Sequence, residues 1–209
     1  MILKGTMLVL LTLAILGLSS LKCAADETNA SVRVSPYLER RSVNEGEQRS
    51  QTETKSKPEA KPKSRKLSIP QLEQHMLEQI NKDRLNANVA ALKSSELLAS
   101  VARDLADDLA KNNTFSHTTS LGLDTEARAK KRGITCPVFE NLGEQSGPDP
   151  FVQMVDELQQ AFMNEPPGQY NHRYILLEPK QAWVGVGIAK SKDRIVVVQC
   201  FTQSDPTLK

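Results

Sequence analysis

Trp183–Phe201 reads WVGVGIAKSKDRIVVVQCF. Two runs rich in β-branched residues, Trp183–Lys190 and Arg194–Phe201, flank a polar Ser191-Lys192-Asp193 turn. That pattern predicts an antiparallel hairpin. Gly185 and Gly187 alternate as in a nucleotide loop, but no helix opens after them. Close packing over a glycine-bearing strand is the better reading.

Helical periodicity fills the region upstream of the hairpin. Ser68-Ile69-Pro70-Gln71 is a helix start, with Ser68 as cap, Pro70 in the first turn and Gln71 three residues on. The stripe Leu72, Met76, Leu77, Ile80 carries this helix to about Asn86. A second helix starts at Ser94 or Ser95 and buries Leu98, Val101, Ala102, Leu105, Ala106 and Leu109, with Asp107 and Asp108 facing out. A third is capped by Asp124 and stops at Gly133. Cys136–Gly143 reads as a short strand. A fourth helix, with Asp149 as cap and Pro150 in its first turn, buries Phe151, Met154, Val155, Leu158, Ala161 and Phe162. Helices first, a strand in the middle and a closing hairpin define an α+β domain with a small antiparallel sheet.

The ends of the chain have a different composition. Residues 1–25 hold Lys4, an apolar run from Met7 to Leu18, and Cys23-Ala24-Ala25. This is a secretory signal with expected cleavage after Ala25, and the run is short for a membrane span. A lipoprotein site at Cys23 is the alternative, and Lys22 fits it badly. Residues 26–66 carry ten Lys and Arg against seven Asp and Glu and few apolar side chains. They are expected to form a disordered charged linker. Residues 67–209 are then one domain, with 15 basic and 18 acidic residues. No basic field and few aromatics exclude nucleic acid as the expected partner.

Loss of the leader leaves Cys136 and Cys200. An even pair in an exported chain predicts a disulfide, worth about 4 kcal/mol for a loop of this length; two buried thiols are the alternative. His75 lies in the first helix and reads as a surface or boundary residue. Glu165 and His172 flank the stiff Pro166-Pro167-Gly168 turn, either as solvated loop residues or as half of a site.

The order of pieces resembles the superfamily of cysteine-rich secretory proteins, antigen five and pathogenesis-related proteins (CAP), whose bacterial branch is called the SCP domain. The resemblance runs from about Leu72 to Phe201. It rests on MLEQINKDR (76–84), LLASVARDLADDLA (97–110), TFSH (114–117), ENLG (140–143) and FMNE (162–165). NHR (171–173), ILLEP (175–179), VGVGI (184–188) and VQCF (198–201) complete it. Phe162 stands where the family usually has Trp, and Asn171 where it often has Gly. The resemblance implies a three-layer α-β-α sandwich with a three-stranded antiparallel sheet. It also implies a cleft lined by His117, Glu140, Glu165 and His172.

Such a set points to Zn²⁺ or another divalent metal held by His117 and His172, with Glu140 and Glu165 orienting the imidazoles. The expected function is that of a secreted, non-catalytic binding module for a metal and a lipid or cell-envelope ligand. The alternative is a metal-dependent, protease-like hydrolase using Glu140 or Glu165 as general base. No HExxH motif is present, and no nucleophile is placed beside a base by the sequence.

Overall fold

A computed structural model describes residues 31–34, 66–148, 150–168 and 170–208. The signal-peptide reading of residues 1–25 and the Asp149 cap lie outside the described residues.

The elements in order are β1 (Ser31–Val34), α1 (Ile69–Asn86), β2 (Lys93–Ser94), α2 (Glu96–Asn112), α3 (Thr125–Lys131) and β3 (Phe139–Ser146). They continue with α4 (Phe151–Met163), α5 (His172–Leu177), β4 (Trp183–Ser191) and β5 (Arg194–Thr202). The expected hairpin is β4–β5, in register from Trp183↔Thr202 to Ser191↔Arg194, with Lys192 at φ 54° in its turn. β3 lies antiparallel on the other side of β5, from Phe139↔Phe201 to Ser146↔Arg194.

These three strands are the antiparallel sheet that the sequence predicts, and two short edges extend it to the order β1-β3-β5-β4-β2. β2 pairs parallel with β4. β1 pairs antiparallel with Gly143–Ser146 of β3 and brings Arg33 within 3.7 Å of Glu144. Ser31–Val34 falls inside the stretch expected to be a disordered linker, so four of its residues depart from that reading. Gly143–Ser146 would otherwise present unpaired backbone groups at a sheet edge.

Period-2 alternation sorts β5 between two layers. Ile195, Val197 and Phe201 join a core with Leu72, Met76 and Ile80 of α1, Met154, Leu158 and Phe162 of α4, and Leu176 of α5. Val196, Val198 and Cys200 face Leu98, Val101, Leu105 and Leu109 of α2 and Ala129 of α3. The result is an α-β-α sandwich.

The α2 layer packs on bare backbone. A Cβ at Gly185 would lie 2.0 Å from the Ala99 nitrogen, and one at Gly187 would lie 2.3 Å from the Arg103 nitrogen. Small alanines on the helix and glycines on the strand are therefore one device, and any side chain there would have to push α2 away. Glu73 of α1 reinforces the joint: it is buried, receives Arg103 of α2 at 2.7 Å, and accepts the Ile188 N–H of β4 at 3.2 Å.

The helix starts follow the sequence signals. Gln71 accepts the Ser68 backbone N–H at 2.9 Å, Ser95 accepts the Leu98 N–H, and Asp124 accepts the Ala127 N–H at 2.8 Å. Gly133 closes the α3 region at φ 82°. The middle strand begins later than expected, at Phe139 rather than Cys136, and extends three residues beyond Gly143. Its later residues are the ones that β1 and β5 pair.

Candidate functional site

His117 sits in the loop after α2 and Glu140 is the second residue of β3. The loop is held at both ends of the gap. Asp108 accepts the Ser120 N–H at 2.7 Å and its hydroxyl at 2.6 Å. Arg128 of α3 donates to the His117 and Leu123 carbonyls, each at 3.1 Å. His117 Nδ1 then lies 2.9 Å from Glu140 Oε1. The other oxygen of Glu140 is held by Arg128 Nη2 and faces the Cys200 thiol at 3.7 Å. Side-chain exposure falls to 3% for Glu140 and 1% for Arg128, so this is a buried ion pair with hydrogen-bond support.

Glu165 and His172 are joined by local chemistry. α4 ends at Met163, the proline pair turns the chain, and Asn171 caps α5 by accepting the Tyr174 N–H at 2.8 Å. Asn171 Nδ2 also donates to the Pro166 carbonyl at 2.8 Å, which closes the turn. His172, the first residue of α5, meets Glu165 twice: ring Nδ1 to Oε1 at 2.6 Å and backbone N–H to Oε2 at 2.7 Å. The carboxylate thus lies at a helix start, among N–H groups that no turn of helix satisfies. The ring stacks on Phe162 with centroids 4.5 Å apart.

β3 links the two pairs. Asn141, next to Glu140, turns to the opposite sheet face, where its Nδ2 donates to the His172 carbonyl at 3.3 Å and to Gln199 at 3.1 Å. Arg84 of α1 supports the same half from behind. It is fully buried and donates to the carbonyls of Ala90, Leu176, Glu178 and Gln181, which fixes the end of α5. Burial holds its guanidinium below the ordinary arginine value, with Glu178 opposing.

The two imidazoles share one chemical logic. A carboxylate only accepts, so the Nδ1 facing it carries the proton. In the neutral ring, Nε2 then keeps its lone pair for a ligand. His172 Nε2 is buried with no hydrogen-bond partner among the described residues. The carboxylate on the Nδ1 side of each ring is the kind of partner that commonly orients an imidazole ligand. Among the described residues there is no group of three or more His, Cys, Asp and Glu side chains able to hold an ion.

His75 is set apart from this arrangement. It is a boundary residue of α1, as expected, and its Nε2 lies 2.6 Å from Asp156 of α4. The expected Cys136–Cys200 disulfide is corrected: both are free thiols. Cys200 is wholly buried on β5 and turned toward Glu140, while Cys136 is partly exposed in the turn before β3. Burial, and then the charge of Glu140, push the Cys200 thiol well above the usual value. Three cavities of about 230, 360 and 450 Å³ lie elsewhere, and none is lined by the four site residues.

Arg128 is the participant that sequence reading misses. It sits in a run of basic residues at the end of a short helix, where positive charge usually serves the helix dipole. Nothing in the run separates the buried arginine from its solvated neighbours.

The model of the CAP, cysteine-rich secretory protein, family matches residues 77–201. No curated protein sequence matches. Among solved structures, an outer surface protein of Borrelia burgdorferi is similar at 21% identity and TM-score 0.54, over 68% of this chain and 98% of that one. An extracellular SCP-domain protein of Bacillus anthracis is similar at 20% identity and TM-score 0.50, over 65% of this chain. The match spans only 41% of the Bacillus protein.

Proposed function

The chain belongs to the CAP, cysteine-rich secretory protein, family, and from that premise we propose that it is an exported, non-catalytic binding module. Its site takes a divalent metal, Zn²⁺ or a similar ion, through His117 and His172. One observation carries the reading: each imidazole has its Nδ1 held by a glutamate, at 2.9 Å and 2.6 Å. That arrangement sets each carboxylate as a support on the Nδ1 side and assigns the ligand role to the opposite side of the ring. Bound metal would supply a Lewis-acidic centre with open solvent positions. A two-imidazole shell gives modest affinity and suits recognition of an oxygen-bearing lipid or cell-envelope ligand.

The hydrolase alternative asks Glu140 or Glu165 to take a proton from water. Both carboxylates are already committed. Glu140 serves Arg128, His117 and the Cys200 thiol, and Glu165 serves the ring and backbone of His172. This supports a binding role over a general base. Export rests on the leader-like composition of residues 1–25. No described helix is long and apolar enough to cross a membrane.

Calorimetric titration with Zn²⁺ tests the reading. Wild type should bind one ion per chain, and His117→Ala and His172→Ala should each lose that heat. Equal heats in all three proteins would overturn it.

A further inference from the structure

We propose that Arg128 is a positioning residue that locks the His117 loop to the Glu140 strand and so fixes which nitrogen His117 presents; this rests on the metal-binding reading above. Arg128 Nη1 holds the carbonyl of His117 itself and that of Leu123, both at 3.1 Å. Its Nη2 holds Glu140 Oε2 and lies 3.5 Å from Thr125 Oγ1. One guanidinium therefore grips the backbone of the imidazole residue and the side chain of its carboxylate partner.

The planar fork makes this possible, because it delivers several donors in a fixed plane. With Oε2 taken by Arg128, Oε1 is the oxygen turned to His117 Nδ1. Charge reinforces the geometry. Arg128 sets its cation against a 3%-exposed carboxylate, and a carboxylate accepts from Nδ1 without offering a proton of its own. Among the described residues His172 has no side-chain counterpart of this clamp. The Glu165 carboxylate is fixed by the backbone N–H groups of His172 and Arg173, at 2.7 and 3.4 Å, and the Arg173 guanidinium reaches the Glu165 carbonyl, at 3.2 Å. The two imidazoles are thus positioned by different means, and His172 serves as an internal control.

The test compares wild type, Arg128→Lys and Arg128→Met by ¹⁵N chemical shifts of the histidine rings in metal-free protein, followed by zinc titration. Wild type should show the proton on Nδ1 in both His117 and His172. Each variant should lose that signature at His117, keep it at His172, and bind zinc about tenfold or more weakly. A native His172 signature shows that the variant is folded, and the lysine variant keeps a positive charge beside Glu140 if the methionine variant does not fold. A folded variant with an unchanged His117 signature overturns the proposal. So does failure of both variants to fold, since the role would then be structural. If wild type takes no zinc, the metal reading fails separately and the ring signatures still decide the role of Arg128.

Discussion

His172 reaches its carboxylate across seven residues and one proline turn, whereas His117 reaches its own from a loop, past helix α3, to a strand 23 residues away. The near pair is assembled by turn and cap chemistry that a short peptide already contains. The far pair exists only when three elements are in place, and it is paid for with a buried arginine. Similar contacts between rings and carboxylates thus have different foundations, and should fail differently.

The largest expected difference comes from removing each carboxylate. Glu140→Ala leaves Arg128 buried without its counter-charge, and should cost about 3–5 kcal/mol in urea unfolding. Glu165→Ala removes a 16%-exposed acceptor and should cost about 1–2 kcal/mol. Equal losses would erase the distinction between a distributed and a local pair.

A smaller and more selective effect is expected at the cap. Asn171→Ala removes the acceptor for the Tyr174 N–H and the donor to Pro166, and should cost about 1 kcal/mol. Amide exchange should quicken across α5 and leave the loop bearing His117 untouched. Equal quickening in both regions would show that the two halves open as one unit.

The smallest effect concerns the thiols. Cys200 has a folded-state pKa raised by burial and by Glu140, so its protonated form favours the fold. That contribution is present below the unfolded thiol value of about 8.5 and is lost as pH rises above it. Cys200→Ala should flatten the alkaline decline in stability. At pH 8, an alkylating reagent should label native Cys136 and spare Cys200. If neither labels until a reductant is added, the two are bridged and the free-thiol assignment fails.

Legibility in the sequence follows the same division. Periodicity marks α1, α2 and α4, the caps at Ser68, Ser95 and Asp124 mark helix starts, and β-branched runs mark the hairpin. All are local signals. α5 is harder to read, because its six residues, HRYILL, follow a proline turn and offer less than two turns of pattern. β1 and β2 are four and two residues long and gain their pairing from strands far away in sequence. Motif order singles out the four candidate residues, and the structure pairs each histidine with one glutamate. Arg128 and Arg84 are not legible, since a buried arginine and a solvated one look alike until the carbonyls they collect are known.

The most direct test is a zinc-soaked crystal with anomalous scattering measured at the zinc edge. The account predicts a single ion in contact with the Nε2 atoms of both His117 and His172, with water filling its remaining positions and Glu140 and Glu165 still on the Nδ1 sides. An ion touching one imidazole only, or bound through the carboxylates, would contradict it.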